Sequence, residues 1–98
     1  MSYLKIEERE ILKRAKQKIR ALNHPLREKM LALISGGNNK MNVTEIYVKL
    51  RIEQSVASQH LAVLRHEGLV NTERTGKVIN YSVNKDAIKE LIDKCNNI

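Results

Sequence analysis

The sequence has one cysteine, one proline, three tyrosines, and no phenylalanine or tryptophan. A lone cysteine excludes an intrachain disulfide and is what we expect of a cytoplasmic protein. With so few aromatic side chains, a core has to be built from leucine, isoleucine, valine, methionine and alanine, which favours packed helices. No apolar run approaches the roughly 20 residues that a membrane span needs, and the N-terminus, MSYLKIEERE, has no apolar signal core.

The length and charge of the chain restrict its class. Its 98 residues, 42% of them hydrophobic, can bury one core, so we expect a single domain over residues 1–98, which an oligomer would further stabilise. The formal charge is +7, and residues 1–29 alone contain nine Lys or Arg against four acids. This excess favours a polyanionic partner, although a run of charges is also the usual composition of a solvated helix face.

Apolar spacing predicts helices in the first third of the chain. Residues 3–22 carry apolar side chains mostly three, four or seven positions apart, which indicates a long amphipathic helix. Its narrow apolar stripe also suits pairing with a second chain. Pro25 interrupts this helix and begins another that reaches about Ser35, and the sequence GGNN at 36–39 predicts a loop.

Two short helices are predicted next, separated by about three residues. Asn42 followed three positions later by Glu45 is the signature of a capping box and predicts a helix over residues 43–50. The stretch EQSVASQHLAVLRHEGL at 53–69 has the apolar periodicity of a further helix, and Gly68 supplies the left-handed conformation that ends it. Two helices this close form a helix-turn-helix candidate.

The second helix of this pair begins with uncharged polar side chains. They can both donate and accept hydrogen bonds, which suits them to read base edges in the major groove of DNA. An ordinary amphipathic surface helix has a similar pattern, so the neighbouring elements must decide between the two interpretations. The residues concerned are Gln54, Ser55, Ser58, Gln59 and His60.

The apolar period then changes from 3.6 to 2. This change predicts two strands, residues 69–74 and 77–83, with the dipeptide TG between them as a hairpin turn. Alternate residues from Ile79 to Val83 are apolar, so one face of the second strand should be buried.

The hairpin has a basic tip, because Arg74 and Lys77 flank the turn. A basic hairpin directly after a helix-turn-helix is typical of a wing that lies along a DNA backbone. A last helix is predicted over residues 85–96, opened by Asn84 or Lys85, with apolar residues along one side.

The order of these elements and the residues within them resemble those of the ArsR/SmtB family of bacterial winged-helix repressors. ALNHPLREKMLALI is similar to the second helix of the family, QSVASQHLAVLRHEGLV to its recognition helix, and RTGKVINYSV to its wing. The resemblance covers about residues 21–84, and the flanking helices fit in length and position. It implies a mainly α fold with a small β-hairpin, a winged helix-turn-helix in the order α1-α2-α3-α4-β-β-α5.

The same resemblance implies a homodimer that binds an inverted repeat in operator DNA and is released by an inducer. The groove-facing residues would be Gln54, Ser55, Ser58, Gln59 and His60, and the wing-tip contacts Arg74 and Lys77. The dimer would join through the first and last helices, with Leu4, Ile11, Leu12, Ile19, Ile88, Leu91, Ile92 and Cys95 in the interface.

Two positions depart from the family pattern. Glu53 stands where the family usually has a Ser or Thr N-cap, and its carboxylate would repel phosphate while favouring the helix N-terminus. Arg51 stands where a glycine commonly eases the turn.

We expect no metal site and no cofactor. Members that sense metals through thiolates have a Cys-x-Cys sequence at the start of the third helix, where this chain reads MNVTE at 41–45. Others use Asp and His on the last helix, which here offers Asp86, Glu90 and Asp93 without a histidine. The alternative is a scattered His and carboxylate site across a dimer.

The remaining histidines and the cysteine have simple interpretations. His24 precedes Pro25 at a helix start and is expected to be structural or exposed, and His66 is expected to face solvent near a helix end. Cys95 either packs as a small apolar residue under the last helix or pairs across the dimer axis as a redox switch.

An enzyme is not expected. Ser55, Ser58 and His60 share one helix without a positioned acid, and the sequence has no glycine-rich phosphate loop. We expect a sequence-specific DNA-binding transcriptional regulator, a dimeric repressor released by a signal other than a thiolate-bound metal. The alternative is a winged-helix module that contacts proteins and whose DNA binding is vestigial, an interpretation to which Glu53 gives weight.

Overall fold

The structure is a computed structural model that describes residues 6–96, and side chains from residue 9 to residue 94. Its helices are α1 (Ile6–Leu22), α2 (Pro25–Gly36), α3 (Val43–Leu50), α4 (Gln54–His66) and α5 (Lys85–Asn96), and its strands are β1 (Met41–Asn42), β2 (Val70–Thr75) and β3 (Val78–Val83). The predicted winged helix-turn-helix order is confirmed, with one strand added.

The start of α2 is fixed by the residue before it and by its own first residue. His24 caps the helix, because its Nδ1 accepts a hydrogen bond of 3.2 Å from the backbone N–H of Leu26. Pro25 occupies the first helical turn, where its missing N–H has no intrahelical partner to lose. The loop predicted at 36–39 begins one residue late, because Gly36 still belongs to the helix.

The loop after α2 is held against the sheet by one asparagine. Asn39 has a left-handed backbone, with φ of 56°. Its Oδ1 accepts a hydrogen bond of 2.7 Å from the Val83 N–H, and its Nδ2 donates one of 3.2 Å to the Val83 carbonyl. This pair of bonds fixes the loop to the end of β3.

The sheet is antiparallel and has three strands in the order β1-β3-β2. The sequence predicted only the hairpin of β2 and β3, and missed β1, in which Met41 pairs with Tyr81. A strand of two residues is too short to show an alternation of apolar and polar side chains, so the sequence pattern gave no signal for β1.

The hairpin differs in detail from its prediction. Thr75 pairs with Val78, so the two loop residues are Gly76 and Lys77, one position later than predicted. Gly76 has φ of 64°, the positive φ that a type II′ turn requires at its first loop position. Ile79, predicted to be buried, is 40% exposed, because it pairs with Arg74 next to the turn, at the exposed tip of the hairpin.

Helix α3 has the predicted bounds, and α4 ends at His66, before Gly68, whose φ of 72° is the predicted left-handed conformation. Asn42 Oδ1 accepts from the Glu45 N–H at 2.9 Å and Glu45 Oε1 accepts from the Asn42 N–H at 3.2 Å, which confirms the capping box of α3. Arg51 ends α3 in a left-handed conformation, with φ of 55°. This conformation is the one a glycine would adopt at no steric cost, and Arg51 adopts it nevertheless.

Two apolar clusters form the core. The larger joins α2, β1, α3, α4 and β3, and the smaller joins the end of α1 to the end of α4 and to β2. Both consist of Leu, Ile, Val, Met and Ala, as the scarcity of aromatic residues predicted, with Tyr47 and Tyr81 at their margins. The buried members are Ala21, Met30, Ile34, Met41, Ile46, Ala57, Leu61, Leu64, Leu69, Val70 and Val83.

Candidate nucleic-acid interface

Helix α4 has two sharply different faces. Ala57, Leu61 and Leu64 are fully buried and anchor the helix to both core clusters. Outside this buried stripe four polar side chains are exposed to solvent: Gln54, Ser55, Ser58 and Gln59. The helix thus presents a row of uncharged donors and acceptors on a rigid support, which is the arrangement that base reading in a major groove requires.

The first turn of α4 is free of acidic residues, but the residue before it is an exposed glutamate. Glu53 is the N-cap, and its side chain makes no capping hydrogen bond. A carboxylate near a helix N-terminus is favoured by the helix dipole, whereas it opposes the approach of a phosphate to the same N–H groups.

His60 is oriented differently from the other four predicted groove residues. It follows Ser58 by two positions, and therefore projects about 200° away around the helix. Its Nδ1 lies 3.2 Å from Nη1 of Arg27, and its ring centroid lies 4.7 Å from that of His24. The pKa of His60 is lowered, first by burial and then by the nearby His24 and Arg27. His60 is half-buried against α2, which fits a supporting contact with α2 better than the predicted contact with a base edge.

The tip of the wing is exposed and basic. Arg74 and Lys77 lie on either side of Gly76 and are both exposed. The Arg74 Nε donates a hydrogen bond of 3.1 Å to the Gly76 carbonyl, so this side chain also braces the turn. Two positive charges at the end of a short hairpin are suited to contact phosphate oxygens.

Arg65 belongs to the exposed face of α4 but was missed by the sequence analysis. It follows Gln54 by eleven residues, or about three turns, so it projects in nearly the same direction. The spacing of Gln54, Ser58 and Arg65 was a usable signal. Its guanidinium adds a positive charge at the far end of the polar row.

The outer surfaces of α1 and α5 carry exposed apolar side chains. Ile11 is 59% exposed, Ile19 38% and Ile92 51%. Leu12 and Ile88 are half-buried, whereas Leu91 is buried within the chain. Of the other predicted interface residues, Leu4 and the side chain of Cys95 lie outside the described part of the chain.

An open apolar groove of about 540 Å³ adjoins this surface. It lies where the end of α1, α2 and α5 meet, with Leu22, Leu31 and Ile88 among its lining residues. Ile92 lines it as well, so the groove is continuous with the exposed apolar surface of α5.

Within the described residues, no three His, Cys, Asp or Glu side chains are grouped closely enough to hold a metal ion. None of the helices in residues 6–96 has the length and apolar character needed to cross a membrane.

Comparison with known proteins gives consistent matches. The family model for bacterial regulatory proteins of the arsR family matches residues 24–72. The chain is 33% identical to the HTH-type transcriptional regulator YgaV of Escherichia coli over 82% of this chain and 80% of that protein. It is 31% identical to the transcriptional repressor PagR of Bacillus anthracis over 82% of this chain and 79% of that protein.

Another relative is matched over a smaller part of its length. The transcriptional activator HlyU of Vibrio cholerae is 38% identical over 57% of this chain and 52% of that protein.

Solved structures share the fold. NolR from Sinorhizobium fredii superposes with a TM-score of 0.76 and 30% identity, over 99% of this chain and 95% of that one. The homodimeric winged helix-turn-helix DNA-binding domain of Mb0332 from Mycobacterium bovis superposes with a TM-score of 0.79, over 94% of this chain and 84% of that one. The latter is 22% identical, so its similarity concerns the fold alone.

Proposed function

Because the chain belongs to the ArsR family of bacterial regulatory proteins, we propose that it is a dimeric repressor that recognises an inverted repeat in operator DNA. Its membership identifies it as a transcriptional regulator, not an enzyme. The main support for this proposal is the exposed polar face of α4. The apolar side of the same helix is fully buried in the core, and the hairpin that follows the helix has a basic tip.

In this proposal each element has a distinct task. Gln54, Ser55, Ser58 and Gln59 contact base edges, since amide and hydroxyl groups can discriminate between bases. Arg74 and Lys77 contact phosphates and set the register of the protein on the duplex. His60 supports α4 from the side of α2, through Arg27. A protein that contacts genomic DNA would be located in the cytoplasm.

Dimerisation is proposed through α1 and α5. Ile11, Ile19 and Ile92 are apolar and exposed, and their burial against a second copy would stabilise the pair by the hydrophobic effect. Leu12 and Ile88 would extend this interface, with Leu91 supporting it from beneath. Leu4 and the side chain of Cys95 lie outside the described residues, and both remain predicted members of this interface.

We propose repression by analogy with PagR, which is described as a repressor and is matched over 79% of its length. The releasing signal is proposed to be something other than a thiolate-bound metal. Residues 41–45, which form β1 and begin α3, hold no thiol, and soft metals prefer thiolate ligands. Zinc or arsenite added at one equivalent should therefore leave the DNA affinity unchanged.

A second function, a winged-helix module that docks on a protein, is favoured by one observation. The exposed Glu53 carboxylate lies at the N-terminus of α4. Its negative charge would repel a DNA phosphate and attract a basic protein surface. Under this alternative, the Glu53→Gln variant would not bind DNA more tightly than the wild type. Under the main proposal it should, because a repulsive charge is removed.

The direct experiment is to incubate purified protein with sheared genomic DNA, recover the retained fragments and sequence them. A recurrent inverted repeat is the expected result. Retention of fragments without a common sequence would contradict operator recognition and leave only attraction between a basic protein and DNA.

A further inference from the structure

Arg27 connects three parts of the molecule. Its Nε donates a hydrogen bond of 2.6 Å to the Ala21 carbonyl, and its Nη2 donates one of 3.0 Å to the Arg20 carbonyl. Both carbonyls belong to the last turn of α1, where backbone acceptors have no partner within the helix. The third nitrogen, Nη1, lies 3.2 Å from Nδ1 of His60 on α4.

The contact with His60 defines the state of its ring. A guanidinium has only donors and stays charged at any ordinary pH, so Arg27 must donate to His60. Nδ1 of His60 must then be an acceptor, which places the single ring proton on Nε2 and makes the ring neutral. A proton on Nδ1 would remove the acceptor and bring two positive charges together.

The groups around His60 also favour the neutral form of its ring. From the side of α2, both groups that act on it are basic, namely Arg27 and the His24 ring at 4.7 Å. From the side of α1, the Arg20 and Ala21 carbonyls are bound to the same guanidinium. Burial and these two basic neighbours hold the pKa of His60 below its ordinary value of 6.5.

The other contacts of α4 with the core are weakly directional. Ala57, Leu61 and Leu64 are apolar and fully buried. They determine which face of α4 points inward, but the hydrophobic effect is non-directional and sets no angle for a small rotation. A hydrogen bond depends strongly on angle as well as distance. Base reading needs side chains placed to within a fraction of an ångström, whereas phosphate contacts tolerate more displacement.

We propose that Arg27 is a positioning residue, which through neutral His60 fixes the rotation of α4 against the end of α1 and thereby sets how well the protein discriminates its operator from other DNA. The inference rests on the proposed function. Because α1 is also a proposed dimer helix, the bond joins the dimer interface to the DNA-reading face. Protonation of His60 at Nδ1 breaks its hydrogen bond with Arg27. In acid the protein therefore loses its preference for the operator, while its attraction to DNA phosphates persists.

The first test replaces Arg27 with a residue of equal charge. Arg27→Lys keeps one positive charge but cannot reach three acceptors at once, and should reduce the ratio of operator to nonspecific affinity by about tenfold at pH 7.5. Arg20→Lys is the matched control, because only the backbone carbonyl of Arg20 takes part. Competition binding with a retained genomic fragment and its scrambled sequence measures the ratio. Equal ratios for Arg27→Lys and wild type would overturn the inference.

The second test uses pH. The wild-type ratio should fall as the pH is lowered from 7.5 to 5.5. His60→Asn places an amide oxygen near the position of Nδ1 and cannot be protonated, so its ratio should not vary over this range. His60→Leu removes the acceptor, so its ratio should be low at every pH. A His60→Asn variant with the same pH profile as wild type would overturn the inference.

The bond itself can be tested in the free protein. Nitrogen NMR of the His60 ring at pH 7.5 should show an unprotonated Nδ1 and a protonated Nε2, with Nδ1 shifted in Arg27→Lys but not in Arg20→Lys. A protonated Nδ1 in the wild type would overturn the inference even if no DNA were bound. If the ring behaves as expected and the wild type shows no preference among DNA fragments, the proposed function is the part that fails.

Discussion

At the residue scale, the proposed contact with DNA depends on which side chains of α4 face solvent. Gln54, Ser55, Ser58 and Gln59 are exposed, as their spacing predicted. The sequence could not show that His60 turns toward α2, because its partner Arg27 lies 33 positions earlier in the chain. Local periodicity gives the face of a helix, whereas a contact between distant residues depends on the completed fold.

Replacing Gln59 with alanine should weaken binding to the operator by about 1 to 3 kcal/mol, because one base contact is lost. Binding to nonspecific DNA should change little. Gln17→Ala is the matched control, since Gln17 is an exposed glutamine on α1. Anisotropy titrations with both duplexes measure the effect. An operator preference equal to that of the wild type would remove Gln59 from the reading surface.

Arg51 provides a stability prediction. It adopts the left-handed conformation, with φ of 55°, which costs a residue with a Cβ about 1 to 2 kcal/mol. Arg51→Gly relieves that cost and Arg51→Ala keeps it, while both remove the same side chain. The glycine variant should therefore unfold in urea with a free energy about 1 kcal/mol higher than the alanine variant. Equal midpoints would show that the turn relaxes without strain.

At the scale of elements, the helices were predictable because their start and stop signals are local. The Asn42 and Glu45 capping box set the start of α3, and the three-residue turn after Leu50 followed from it. Strand β1 was not predictable, because it depends on pairing with β3 about 40 residues away. The wing turn was placed one residue early, because the dipeptide TG does not specify which residues pair.

The wing is expected to contribute affinity without selectivity. Arg74→Gln combined with Lys77→Gln should weaken binding to all DNA sequences and reduce the slope of log affinity against log salt by about 2 per protomer. Lys85→Gln with Lys89→Gln on α5 removes the same charge elsewhere, and should leave the slope nearly unchanged. Loss of affinity for the operator alone would mean that the wing reads bases.

The loop before β1 should be stabilised mainly by Asn39. Asn39→Ala removes both hydrogen bonds to Val83 and should cost about 1 to 3 kcal/mol of unfolding free energy. Asn38→Ala is the control, because Asn38 also has a positive φ, of 61°, and is exposed. Urea denaturation compares the two. Similar losses would assign the effect to backbone strain.

At the scale of the whole molecule, a monomer leaves Ile11, Ile19 and Ile92 exposed. The sequence indicated this surface through the narrow stripe of α1. It did not show that Leu91 is buried within the chain, because the packing of α5 on α1 is set by the tertiary structure. A second copy would cover the apolar surface and place two α4 helices on one duplex.

The dimer can be weakened by a charge on its proposed face. Ile92→Lys should shift the protein from dimer to monomer at micromolar concentration, since a buried unpaired ammonium is strongly unfavourable. Val48→Lys is the control, because Val48 is 59% exposed on α3, away from α1 and α5. Sedimentation velocity measures the mass of each. A dimer unaffected by Ile92→Lys would place the interface elsewhere.

If two copies of the chain bind one DNA site, the purified protein should prefer a retained genomic duplex to its scrambled sequence. The decisive experiment measures its affinity for both duplexes over a series of salt concentrations. We expect binding of one dimer, a steep loss of affinity with salt for both duplexes, and a preference for the retained duplex of about a thousandfold or more at physiological salt. Equal affinity for both duplexes, or binding that barely responds to salt, would contradict it.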